Sequence, residues 1–534
     1  MSASTMVRGA VILTVASFVS RLLGILFVIP YNAMTGTEGS FLYQYAYTPY
    51  GIMLSVSTMG LPLAVSKFVS KYNSLGDYES GKRLFKSGIV LMSVTGIVGF
   101  LILFLGAPYI VASYGIPDKS DIANVIMVTR VVSIAILVVP VMSLMRGYFQ
   151  GFQSMGPTAV SQVVEQIVRV AFILIGAFLV MNVLKGTAVT AAALATFAAF
   201  VGAVGGLYVM LHYWVRRRKY LDNMQQQRVH RYRISYLSMY KELVTYAVPF
   251  VAVGISMQLY QLIDQAMAYH YLEYSGKVTK KIITDLTMND QKMVMIPVTL
   301  ATSLAVSAVP AIIKSYSTGK ITDVNHKITQ AFELVLFLTV PASIGLSILG
   351  YMVHGLLFEI KPEDLLIGGR VLQWYAPTAI FFALFQVTAS ILQGINHQRV
   401  TLISLLAGVI VKILLNPVFM KFFGMVGPVI ATNVGYTLCI LINLIAIKKA
   451  TDYHYSQIAR QTVHIVGYTI IMCLVIQLVF LLFGGNVPNG RGVAFIVVIL
   501  SVLLGAAVYL ILARWTGLLR RITGGLRGRR DNRL

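Results

Sequence analysis

Apolar runs of about twenty residues or more, the length a helix needs to cross a hydrocarbon core of ~30 Å, recur along the whole 534-residue chain. Fourteen are predicted, at approximately 8–30, 41–65, 84–112, 122–145, 157–183, 187–215, 240–271, 292–314, 327–357, 365–392, 399–420, 425–447, 461–484 and 492–513. With 57% hydrophobic and only 12% charged residues, a soluble domain of ordinary make-up is excluded. A membrane β-barrel would alternate apolar and polar residues over strands of ~10 residues, and these runs do not. Helices are then the spanning structure that satisfies every backbone group in lipid. The expected fold class is an all-α integral membrane protein of fourteen transmembrane helices.

A net charge of +24 raises nucleic acid as a partner, but the placement of the charge argues for topology instead. With the N-terminus inside, most Lys and Arg outside the spans fall on the inner side, as the positive-inside rule requires. Both termini are then cytoplasmic. The largest clusters are Arg216-Arg217-Arg218-Lys219 with Arg228, Arg231 and Arg233, and the tail from Arg514 to Arg533. They are expected to face anionic inner-leaflet lipid. Arg21 interrupts the first apolar run and no clean cleavage site follows, so the first helix is expected to be retained. Cys439 and Cys473 both lie within predicted spans, which indicates neither a disulfide framework nor a metal site.

The chain repeats itself weakly at an offset of about 243 residues. Gln150-Gly151 matches Gln393-Gly394, Arg169 then falls on Lys412, and Leu63-Ala64-Val65-Ser66 resembles Leu304-Ala305-Val306-Ser307. Six-span units that both begin inside form a parallel repeat about an axis along the membrane normal. The expected organisation is an N-lobe over 1–215, a basic cytoplasmic linker over 216–239 and a C-lobe over 240–448. Two appended spans follow over 449–514, and a basic tail over 515–534. Binding sites in such transporters lie near the midplane between repeats.

Ionisable residues inside these spans need a reason, since a charge at the centre of an isolated membrane helix costs roughly 2.5–3.5 kcal/mol on insertion scales. On the first helix Thr14, Ser17, Arg21 and Gly24 fall at spacings of three and four and form one stripe. The stripe reads either as a cavity face or as a packing face through Gly and Ser. Arginine suits phosphate, because its planar fork donates two parallel hydrogen bonds and stays charged.

In the seventh span Gln258, Gln261, Asp264 and Gln265 occupy an arc of roughly 120°. Asp264 reads as a counter-ion for Arg21, a coupling-ion ligand or a buried paired carboxylate. Lys292 opens the eighth span with Thr299 and Ser303 on the same stripe, where it either faces a cavity or snorkels to the interface. Glu165 precedes Arg169 by one turn, the favourable order for an intrahelical ion pair. Lys412, with Gly408 and Asn416 on its face, has no carboxylate in its own helix, and Glu333 is its candidate partner on charge grounds. Prolines within predicted spans, among them Pro62, Pro140, Pro249, Pro297, Pro310 and Pro341, are expected to kink helices and act as hinges.

There is no Gly-rich phosphate loop ending in Lys-Ser/Thr, no paired-His zinc motif and no aspartate-rich cluster for magnesium-pyrophosphate chemistry. No enzyme, cofactor or metal is indicated. Energy is expected from an H+ or Na+ gradient or the membrane potential, unless transport runs downhill.

Val19-Ser20-Arg21-Leu22-Leu23-Gly24 resembles the Ser-Arg-x-Leu-Gly signature that opens lipid II flippases of the MurJ type, within the multidrug/oligosaccharidyl-lipid/polysaccharide (MOP) exporter superfamily. The similarity continues through Leu262-Ile263-Asp264, Lys292 with Pro297, Pro310 and Lys314-Ser315-Tyr316. It points to the Gram-positive branch of YtgP-like flippases and stage V sporulation protein B. The resemblance implies two six-helix lobes with two extra helices, in the plasma membrane of a bacterium. It also implies movement of an undecaprenyl-diphosphate-linked saccharide, above all the peptidoglycan precursor lipid II, from inner to outer leaflet by alternating access. Arg21 and Lys292 match cavity positions that meet the diphosphate, and Asp264 matches a cavity aspartate. The chain departs where a second basic residue is expected one turn after Gly24, at Phe27 and Val28, and where Met295 replaces an expected carboxylate. Other readings stay open: a teichoic-acid or capsular repeat-unit flippase, a drug/cation antiporter, or a non-transporting scaffold for cell-wall synthesis machinery.

Overall fold

Strong apolarity without alternation produces helix almost throughout the computed structural model, which describes residues 3–58, 61–74, 76–226, 248–249, 251–306, 309–359 and 361–519. The basic linker beyond 226, with Arg228, Arg231 and Arg233, and the basic tail beyond 519 lie outside the described residues. So do Ser307 and the side chain of Thr14.

The chain divides into two units, Met1–His270 and Tyr271–Leu534. The division falls about thirty residues after the expected start of the second lobe, so that most of the seventh predicted span groups with the first unit. The first unit is built from α1 (Ala3–Leu26), α2 (Val28–Thr58), α3 (Leu61–Ser74), α4 (Tyr78–Ala112), α5 (Lys119–Ser133), α6 (Val139–Gly151), α7 (Met155–Phe178), α8 (Ala188–Gln226) and α9 (Ser256–Tyr271). The second unit contains α10 (Gly276–Thr284), α11 (Asp290–Val306), α12 (Val309–Ser317), α13 (Ile321–Ile348), α14 (Gly350–Leu357) and α15 (Pro362–Tyr375). It continues with α16 (Thr378–Gly394), α17 (Gln398–Phe423), α18 (Gly427–Thr451), α19 (Ser456–Leu482) and α20 (Arg491–Trp515).

Local chemistry sets many of the boundaries. Asp77 caps α4 by accepting from the Ser80 amide at 3.1 Å, and Asp118 caps α5 by accepting from the Ser120 amide at 2.8 Å. Gly424, at φ 57°, turns the chain between α17 and α18. Pro62, Pro140 and Pro310 each stand at the second residue of a helix. There the missing amide proton has no intrahelical partner to lose, so these prolines start helices where the sequence reading expected kinks. Pro297 and Pro341 do lie inside helices.

Among the described residues ten helical stretches are long and apolar enough to cross a membrane. Four of them, Val15–Thr58, Lys119–Gly151, Pro362–Gly394 and Gln398–Thr451, each join two helices. The ten overlie the expected spans except the seventh and eighth, where α9 and α11 have 16 and 17 residues. Large apolar side chains stand outward on these helices, Leu482 and Trp515 being 81% and 80% exposed, as in a protein whose outer solvent is hydrocarbon. Within the first unit small residues allow close approach: a Cβ at Gly147 on α6 would fall 2.1 Å from the Pro62 carbonyl oxygen on α3.

Candidate functional site

The stripe on α1 serves two purposes. Ser17 donates to Gln162 Oε1 on α7 at 3.0 Å, and a Cβ at Gly24 would lie 2.9 Å from Gln166 Nε2 on the same helix. Those two positions form the packing face. Arg21 is exposed and makes no hydrogen bond or ion pair among the described residues.

The arc on α9 faces protein. Gln265 Nε2 donates to the Gln44 carbonyl on α2 at 3.5 Å, and Gln258 Cγ lies 3.5 Å from where a Cβ of Gly51 would stand. Gln261 and Asp264 are buried on the same helix.

Glu165 pairs with Arg169 one turn along α7, as its spacing predicts, at 3.3 Å. Its shorter contact, 2.8 Å, is with Arg146 in the middle of α6. Arg146 also donates to Ser161 Oγ at 2.7 Å, and Ser161 donates to the Gly206 carbonyl. Arg169 reaches Tyr47 Oη at 3.3 Å. One carboxylate therefore serves two guanidinium groups, all three mostly buried, and Glu165 does not cancel the charge of Arg169 alone. Sequence reading missed Arg146 because it follows the predicted fourth span and counts there as a loop charge; its signal was position, directly before the Gln150-Gly151 repeat.

In the second unit Lys292 is half-buried in the first turn of α11, with no hydrogen bond or ion pair among the described residues. Of the polar residues on its stripe, Ser303 donates to the Thr299 carbonyl at 2.6 Å, and Thr299 is buried. Lys412 is fully buried and donates to Thr432 Oγ1 at 2.6 Å and to the Pro428 carbonyl at 3.3 Å, both on α18. Two neutral oxygen atoms are thus among the partners of this lysine. Glu333 is buried on α13. Neither Cys439 nor Cys473 forms a disulfide among the described residues, and Cys439 Sγ donates to the Ser404 carbonyl.

A second group of ionisable residues in this unit was not anticipated. Lys281, Asp285, Asp290 and His354 are all buried, with Glu359 beside them. Nothing in the sequence marks this group except the density of charge between 277 and 292, which the topology reading assigned to a loop.

Comparison with known proteins places this geometry in context. Residues 6–316 match a protein family described as polysaccharide biosynthesis protein. A Bacillus subtilis protein named lipid II flippase MurJ is 40% identical over 531 residues, covering 98% of this chain and 97% of the relative. Stage V sporulation protein B of the same organism is 24% identical over 465 residues, covering 84% and 85%. Among solved structures, lipid II flippase MurJ in an inward closed conformation superposes with a TM-score of 0.63 at 16% identity, over 96% of this chain and 99% of that one. An inward-facing multidrug resistance MATE family transporter of the MOP superfamily gives 0.67 at 14% identity, over 81% and 96%. The two structural likenesses show the fold.

Proposed function

The chain belongs to the polysaccharide biosynthesis protein family, and we propose that within it this protein is a lipid II flippase, a transporter and not a catalyst, in the bacterial cell membrane. The observation that carries the reading is identity along nearly the full length of both chains with a protein of that name. Its cargo would be the undecaprenyl-diphosphate-linked peptidoglycan precursor, moved from inner to outer leaflet by alternating access.

In this reading fourteen helices form two six-helix lobes and an appended pair, with both termini cytoplasmic. Arg21 and Lys292 hold the diphosphate. Support comes from the two cations themselves, each without a partner among the described residues while Arg146, Arg169 and Lys412 are all engaged. Ser17 positions α1 against α7, and Thr14, Gln258, Gln261, Asp264, Thr299 and Ser303 supply the neighbouring polar surface. The basic clusters at 216–219 and in the tail meet anionic inner-leaflet lipid.

Depletion of the protein in cells lacking redundant flippases, with lipid II assayed on each face of the membrane, tests the function. Lipid II should accumulate on the inner face and disappear from the outer. Unchanged outer-face lipid II refutes the reading.

A further inference from the structure

The unexpected cluster of the second unit is built around an uncommon backbone feature. After α10 the chain makes a π turn over Asp285–Asn289, a wide turn that recurs at functional positions in helices. The turn carries Asp285, Asn289 and the next residue, Asp290, into the interior, each with no solvent exposure. His354 on α14 is equally buried, and its Nδ1 lies 2.8 Å from Asp290 Oδ1. Lys281 Nζ stands 3.3 Å from Asp285 Oδ2 and 3.5 Å from Glu359 Oε2, and Asn289 Nδ2 donates to Asp285 Oδ1 at 2.8 Å.

The balance of charge decides how the pair is protonated. Lys281 from α10 is opposed by Asp285 from the π turn and by Glu359 after α14, with Asp364 acting from α15. A neutral imidazole beside an Asp290 carboxylate would add another interior negative charge, which is costly unless matched. With one more proton, held between Nδ1 and Oδ1, the pair is neutral. Burial accordingly raises the Asp290 carboxyl above the ordinary carboxylate range, against the pull of His354, and burial raises Glu359 as well. Among the described residues no group of three or more His, Cys, Asp or Glu is placed to hold a metal ion.

The pair is sealed by close packing. A Cβ at Gly368 on α15 would fall 2.1 Å from His354 Cε1 and Nε2. On the other side a Cβ at Gly355 would lie 3.0 Å from Pro488 Cγ, and Arg491 donates to the Phe358 carbonyl at 3.1 Å. α14 is thereby clasped between α15 and the connection that leads into α20.

We propose that the His354–Asp290 pair is a proton-binding site that latches α14, and with it the connection before α20, onto α15 and the π turn. With the proton bound the pair is neutral and the clasp is shut. When the proton passes to water, an unmatched carboxylate remains in the interior and the clasp loosens to solvate it. The packed state binds the extra proton, so its stability is complete on the acid side and is lost as the pH rises through the titration of the pair.

Hydrogen–deuterium exchange of residues 350–375 in the full-length protein in lipid nanodiscs, corrected for the intrinsic exchange rate and followed from pH 6 to 9, tests the latch. Protection should be constant at the acid end and then fall by about tenfold per pH unit once the pair titrates, one proton being linked. Asp290→Asn and His354→Gln should each give a flat profile. A flat profile in the unaltered protein overturns the proposal without any variant having to fold, and so does a pH-dependent loss that persists in both variants. No substrate is present, so the outcome is independent of the lipid II reading, which stands or falls in its own assay.

Discussion

Arg146 donates to Glu165 at 2.8 Å from a neighbouring helix, a closer contact than the 3.3 Å that Glu165 makes with Arg169 along its own helix. The carboxylate therefore ties α6 to α7, and its loss leaves two mostly buried guanidinium groups facing each other. Removing one partner of such a group costs about 3–5 kcal/mol. Glu165→Gln should sharply lower the folded yield measured by fluorescence-detected size exclusion. Adding either Arg146→Gln or Arg169→Gln should restore part of that yield, because each removes one of the two facing charges while the other guanidinium keeps a neutral partner, Tyr47 for Arg169 and Ser161 for Arg146. Normal yield with lost transport in the single variant would reassign Glu165 to the transport site.

Arg21 is exposed on a helix whose neighbouring Ser17 is already engaged. Arg21→Ala should leave expression intact and reduce flipping by well over tenfold, since each charge-assisted hydrogen bond contributes about 1.5–3 kcal/mol. Arg21→Lys should retain part of the activity, keeping the charge but not the two-pronged contact. Full support of growth as the sole flippase, with unchanged substrate affinity in Arg21→Ala, would end the diphosphate reading.

Lys292→Ala should act in the same direction but more mildly, a loss of several-fold, because an ammonium is a single point charge without the guanidinium fork. The quantity to compare is the flipping rate at matched expression. A larger loss than in Arg21→Ala would reverse the ranking of the two cations.

Gly147→Ala concerns packing alone. Its Cβ would stand 2.1 Å from a backbone oxygen, which cannot rotate away as a side chain would. The helices α3 and α6 must part, at about 1–3 kcal/mol, and the midpoint of thermal unfolding should fall. An unchanged midpoint would show that α3 shifts freely.

Topology is open to direct labelling. A cysteine placed in the 216–239 linker should react only from the cytoplasmic side, and Ala33→Cys, an exposed position near the Gly36 turn in α2, only from outside. Reaction of both from one side would exclude the orientation derived from the charge bias.

The sequence alone determined that this chain is helical and lipid-facing, because length, apolarity and the absence of alternation are properties of each segment by itself. The spacing of Glu165 and Arg169 was equally legible, since the two lie within one turn of one helix. It also placed Arg21 and Lys292 on small and polar stripes, but a stripe does not say which of its members packs and which stays open. The tertiary structure decided that: Ser17 and Gly24 meet α7, while Arg21 makes no hydrogen bond or ion pair among the described residues. It alone joined Arg146 to Glu165, gave Lys412 neutral oxygen partners, turned Pro62, Pro140 and Pro310 into helix starts, and brought His354 to Asp290 across 64 residues of chain. Pairings of that kind depend on which helices lie side by side, and no period or spacing within one helix encodes its neighbour.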